Sequence, residues 1–132
     1  GNLSTFDLLI LEGEMALCRL EPGQRMPEWA GEGFVASART ADELSIVCEA
    51  SRVPAGVNAS PGWRALRVAG TLDLAATGVL VSLLAPLGDA GVPIFVISTY
   101  DTDYVLVPGD RLDDASTVLR AAGHRIGAES II

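Results

Sequence analysis

The chain has 132 residues, 49% of them hydrophobic and 20% charged, with a formal net charge of −8. That length suits one compact domain or two small modules, and the apolar content excludes intrinsic disorder. Nine basic residues against 17 acidic ones cannot assemble a cationic track along a phosphate backbone, which excludes nucleic acid and anionic membrane as partners.

The N-terminal stretch Gly1–Asp7 lacks the basic region and small-residue cleavage site of a signal peptide. The strand-like segments Leu8–Leu11 and Met15–Leu20 follow, separated by the turn residues Glu12, Gly13 and Glu14. Residues 21–27 are rich in breakers, and Pro27–Ala30 suits one helical turn that lays Trp29 on the core. Phe34–Arg39 alternates apolar and small residues, and Leu44–Ala50 is again strand-like, so the two predict a hairpin across Thr40–Glu43. Cys18 and Cys48 each sit in such an apolar run without metal-ligand spacing. They read as buried, reduced thiols of a cytoplasmic protein. Val53–Gly62 holds two prolines and two glycines and reads as a linker.

Trp63–Ala69 predicts a strand with Trp63, Ala65 and Arg67 on one face and Leu66 and Val68 on the other. Gly70–Thr77 turns into a helix over Gly78–Ala90, whose stripe is Val79, Leu80, Leu83, Leu84 and Leu87. Pro86 within it predicts a bend or an early end. The longest mostly apolar runs, Gly78–Leu87 and Val92–Ile97, are too short to span a membrane. Ile94–Thr99 reads as a central strand, Tyr100–Asp103 as a polar corner and Tyr104–Val107 as a strand. A helix capped by Asp110, with Asp113 at the reciprocal position, carries Leu112, Ala115, Leu119 and Ala122 to Gly123. His124–Ile126 is a last short strand. The order from Trp63 to Ile126 is β-α-β-β-α-β, a ferredoxin-like α+β unit. The segment before it, with strands but little helix, reads as a shortened copy.

Catalytic motifs are missing. The single histidine, His124, follows a helix-ending glycine and reads as a solvated imidazole at a helix C-terminus. There is no lysine for Schiff-base chemistry, no phosphate loop and no nucleophile elbow. Asp101 and Asp103, two residues apart, supply too few oxygens for a cation shell, so no metal and no cofactor is expected. Two segments remain as a ligand site. Gly70–Val79, with Asp73, Thr77, Gly78 and Val79, leads into a helix start whose free N–H groups attract an anion. Ser98–Asp103, with Thr99, Tyr100, Asp101, Thr102 and Asp103, offers hydroxyls and carboxylates for an ammonium group. Asp73, Asp101 and Thr77 also have plain roles as turn and capping residues.

The run Gly91–Val107, with Ile97-Ser98-Thr99-Tyr100-Asp101-Thr102-Asp103-Tyr104 at its centre, resembles the IST[YF]-x-TD-[YF] stretch of a tandem ACT-domain family. That family includes uncharacterised bacterial ACT-domain proteins and is similar to the modules of the animal cytosolic arginine sensor. Gly70–Leu80 and Phe34–Ser51 resemble the family's other segments, so the likeness runs from about Leu8 to Ile126. It implies ferredoxin-like ACT modules in tandem, with antiparallel sheets and helices on one face. The expected division is a shortened module over 1–57 and an ACT domain over 58–132. It also implies ligand contacts at Thr77, Gly78 and Val79 and at Thr99 to Asp103, with a homodimer supplying a second subunit where one chain leaves the site incomplete. The expected function is a non-enzymatic, regulatory sensor of an amino acid. The alternative is a protein-interaction module without a small ligand.

Overall fold

A computed structural model describes residues 5–128. The outer ends of both expected modules, residues 1–4 and 129–132, lie outside them. The described residues form two compact units, one of residues 13–63 and one of residues 5–12 together with 64–128.

In the first of these, β2 (Met15–Leu20) pairs antiparallel with β4 (Leu44–Glu49), and β4 with β3 (Val35–Arg39). The expected hairpin is therefore present. Ala16, Cys18, Leu20, Leu44, Ile46 and Cys48 are buried with Ala30, and Trp29 packs against them from a 3-10 turn at Glu28–Ala30. Cys18 and Cys48 are free and buried. They lie on one face as diagonal neighbours, since Ala16 opposes Cys48 and Cys18 opposes Ile46.

The stretch read as a linker ends sooner than its composition suggests. β5 runs ten residues, Ala59–Val68, and its first half pairs with β2. Met15 opposes Trp63 but Leu17 opposes Ser60, so Pro61 and Gly62 form a bulge. A bulge is where a strand tolerates proline, because the residue has no ladder N–H to lose. Gly62 takes a positive φ of 84° there.

In the other unit the strand order is β8-β1-β5-β7-β6, with β1 (Asp7–Ile10), β6 (Phe95–Ser98), β7 (Asp103–Pro108) and β8 (Arg125–Ala128). The β1–β5 and β6–β7 pairs are antiparallel, and β1–β8 is parallel. From β5 onward the order β5-α1-β6-β7-α2-β8 is the expected βαββαβ, with α1 over Val79–Asp89 and α2 over Leu112–Ala121. β1 stands between the first and last strands of that unit. Leu8, Leu66, Val68, Val105 and Val107 pack with Leu83, Leu87, Ala115 and Leu119 into its core. Each buried leucine contributes roughly 1.5–3 kcal/mol.

Three local expectations are corrected. β6 is not central: among the described residues it pairs with β7 alone, and its Phe95, Val96 and Ile97 are half-buried. Asp110 does not cap α2: a 3-10 turn at Gly109–Arg111 runs into the helix, and no side chain caps it. Pro86 does not end α1, which continues to Asp89. A proline at 86 leaves the carbonyl of residue 82 without its i+4 donor. The imidazole of His124 stands in, 2.9 Å from Ser82 O.

Candidate functional site

The loop between β5 and α1 is built by short-range bonds. Asp73 Oδ1 accepts the Ala75 N–H at 2.8 Å and its carbonyl accepts the Ala76 N–H at 2.9 Å, a turn that fixes the loop's tip. The chain then enters α1 through Gly78, whose φ of 78° lies in the left-handed region. No side chain caps this helix. Its first internal bond runs from Ser82 N–H to Gly78 O at 3.1 Å, so the amides of Val79, Leu80 and Val81 precede the ladder.

The corner between β6 and β7 is locked from within. Thr99 N–H donates to Thr102 O at 2.8 Å, and Thr102 N–H donates back to Thr99 Oγ1 at 3.2 Å. Thr102 is buried, and its hydroxyl donates to Val68 O at 2.7 Å, anchoring the corner on β5. Asp101 lies in this bend and Asp103 opens β7 opposite Ser98. They therefore do not share a strand face.

Loop and corner are joined by one backbone bond, from Leu72 N–H to Asp101 O at 2.7 Å. Beside it lies a cavity of about 310 Å³ bounded by residues 72–81 and 98–103. Asp73, Gly78, Val79, Thr99, Tyr100, Asp101, Thr102 and Asp103 all line it. Thr77 is exposed and does not. Leu72, Leu74, Ala76, Leu80, Val81 and Ser98 complete the wall beyond the residues expected there. Their signal was adjacency: each falls inside one of the two segments or within two residues of its end. Chemically, one wall presents the amide start of a helix, with the Asp73 carboxylate engaged by the Ala75 N–H of its own loop, and the other presents carboxylates and hydroxyls. Leu74, Val81 and Tyr100 expose 66%, 59% and 79% of their surfaces, which gives the cavity an apolar rim.

His124 is placed quite differently from the solvated imidazole expected. It is 4% exposed. Its Nδ1 accepts the Phe6 N–H at 3.0 Å, and the Phe6 ring stacks on it. Accepting at Nδ1 puts the proton on Nε2, which donates to Ser82 O. The missing Pro86 N–H explains why an imidazole is held inside.

Among the described residues there is no group of three or more His, Cys, Asp or Glu side chains able to hold a metal ion. Among the same residues no helix is long and apolar enough to cross a membrane.

Residues 58–121 match the family model of the ACT domain, and residues 13–56 match a second model, that of an N-terminal domain. A crystallised Agobacterium tumefaciens protein is 39% identical, with 97% of this chain and 96% of that one covered at a TM-score of 0.91. A Vibrio cholerae protein of unknown function, described as a possible transport protein, is 20% identical over 91% of each chain at a TM-score of 0.74. The regulatory subunit of aspartate kinase from Thermus flavus is 9% identical, with 92% of this chain and 99% of that one covered at a TM-score of 0.62. These last two are likenesses of fold. No curated protein matches the chain.

Proposed function

We propose, from the premise that this chain belongs to the ACT-domain family, that it is a non-enzymatic regulatory protein which binds a small zwitterion, an amino acid, in the cavity beside α1. The observation that carries this reading is the pairing of unlike walls. Val79, Leu80 and Val81 bring helix-start amides to one side, and Asp101 and Asp103 bring carboxylates to the other. An α-carboxylate suits the first and an ammonium group the second. The cavity's 310 Å³ lies at the small end of ligand pockets, the size for a single small metabolite. Asp73, Gly78, Val79, Thr99, Tyr100, Asp101, Thr102 and Asp103 are the proposed contacts; Thr77 is dropped. The same proposal takes the chain as tandem modules, 1–57 and 58–132. The first is shortened, and its opening strand β1 is lent to the sheet of the second, where it pairs with β5 and β8.

A thermal-shift screen against the individual amino acids tests the function. A ligand of the folded state raises the melting temperature with concentration. The reading predicts at least one amino acid that does so at millimolar concentration, and fails if none does. The exposed rim of Leu74, Val81 and Tyr100 favours a second reading, in which a second subunit or a partner protein closes over the cavity. Sedimentation over a range of protein concentrations, with no thermal shift from any amino acid, would favour docking alone.

A further inference from the structure

We propose that His124 is a positioning residue for the cavity wall, acting through Ser82 on the first turn of α1. Its bearing on ligand binding rests on the function proposed above; its bearing on the wall does not.

A chain of bonds runs from the residue leading into β1, through an imidazole that does not line the cavity, to residues that do. Phe6 N–H donates to His124 Nδ1, His124 Nε2–H donates to Ser82 O, and Ser82 Oγ donates to Val79 O at 2.7 Å. Ser82 N–H also holds Gly78 O. Gly78 and Val79 line the cavity. Ser82 and His124 are both buried, at 1% and 4% exposure, so water cannot replace these bonds. An ordinary helix would secure Ser82 O by the N–H of residue 86, but that residue is Pro86. The first turn of α1 therefore takes its missing support from outside the helix, at the junction of β1 and β8. Each ring nitrogen has one role, acceptor toward β1 and donor toward α1, so the imidazole fixes both elements in a single arrangement.

The test restores the helix's own bond. His124→Asn keeps an acceptor near the Nδ1 position and loses the reach to Ser82 O. Pro86→Ala returns a backbone N–H to that carbonyl. Amide hydrogen exchange at Ser82 and Leu83 reads the first turn without any ligand. Loss of one buried bond predicts exchange about tenfold faster in His124→Asn. The double variant His124→Asn/Pro86→Ala should return to within about twofold of the unmodified protein, as expected of two donors serving one acceptor. Unchanged exchange in His124→Asn, or no recovery in the double variant, overturns the proposal and leaves His124 as core filler. Should His124→Asn not fold, the unmodified protein still decides. Its single histidine gives one set of imidazole nitrogen resonances, expected to show the proton on Nε2. A proton on Nδ1 would refute the relay. If the relay holds and no amino acid binds, the ligand reading alone has failed.

Discussion

The backbone N–H of Leu72 donates to the carbonyl of Asp101 at 2.7 Å, and this bond ties the loop before α1 to the corner between β6 and β7. The two segments are separated by the whole of α1 and β6. Their attachment makes them opposite walls of one cavity instead of two independent loops. A ligand between them meets groups already held in place, which lowers the ordering cost of binding.

The corner's integrity depends on Thr102. Its hydroxyl is buried and is the donor to Val68 O. Thr102→Val keeps the shape and removes a donor to a buried carbonyl. The expected cost is about 1–3 kcal/mol, read as a lower urea midpoint. Thr99→Ala, which removes a more exposed hydroxyl, should cost less.

Asp101 and Asp103 take part in none of the ion pairs formed among the described residues. Neutralising either should leave the unliganded protein within about 0.5 kcal/mol of its original stability. Asp103→Asn should instead weaken amino-acid binding about tenfold or more, the worth of a charged hydrogen bond. Titration calorimetry on the amino acid found by the screen measures this, and equal affinity for both proteins would remove Asp103 from the site.

The buried thiols make stability sensitive to alkali. Burial, reinforced by the nearby Cys48, pushes the Cys18 thiol up from 9.0 to about 11. Burial also raises Cys48. The folded state then holds its proton where the unfolded chain has released it. This contribution is complete below pH 9.0 and is lost as pH rises through about 11. Denaturation midpoints should fall over that window by an amount on the order of 2 kcal/mol. Cys18→Ala should flatten the fall, and an equally steep one would contradict this origin.

Much of this architecture is legible in the amino-acid pattern. Met15–Leu20 and Leu44–Glu49 announce themselves by apolar runs with few breakers, and the α1 stripe by helical spacing. Local signals fail where a distant partner changes their meaning. Pro61 and Gly62 look like linker residues because nothing nearby reveals that they bulge against Met15 and Leu17 on β2. Pro86 looks like a helix end because the donor that stands in for its N–H is 38 residues away, on His124. The same imidazole looks solvated because its other partner, Phe6, lies 118 positions earlier. At the candidate site both walls could be located from composition. The bond joining them could not, since a backbone N–H carries no side-chain signature.

The most direct measurement is an amide NMR spectrum recorded with and without the most stabilising amino acid. If a zwitterion lodges between the α1 start and the acidic corner, the resonances that move will cluster in residues 72–81 and 98–103. Movement confined to other surfaces, with both of these segments unchanged, would contradict the account.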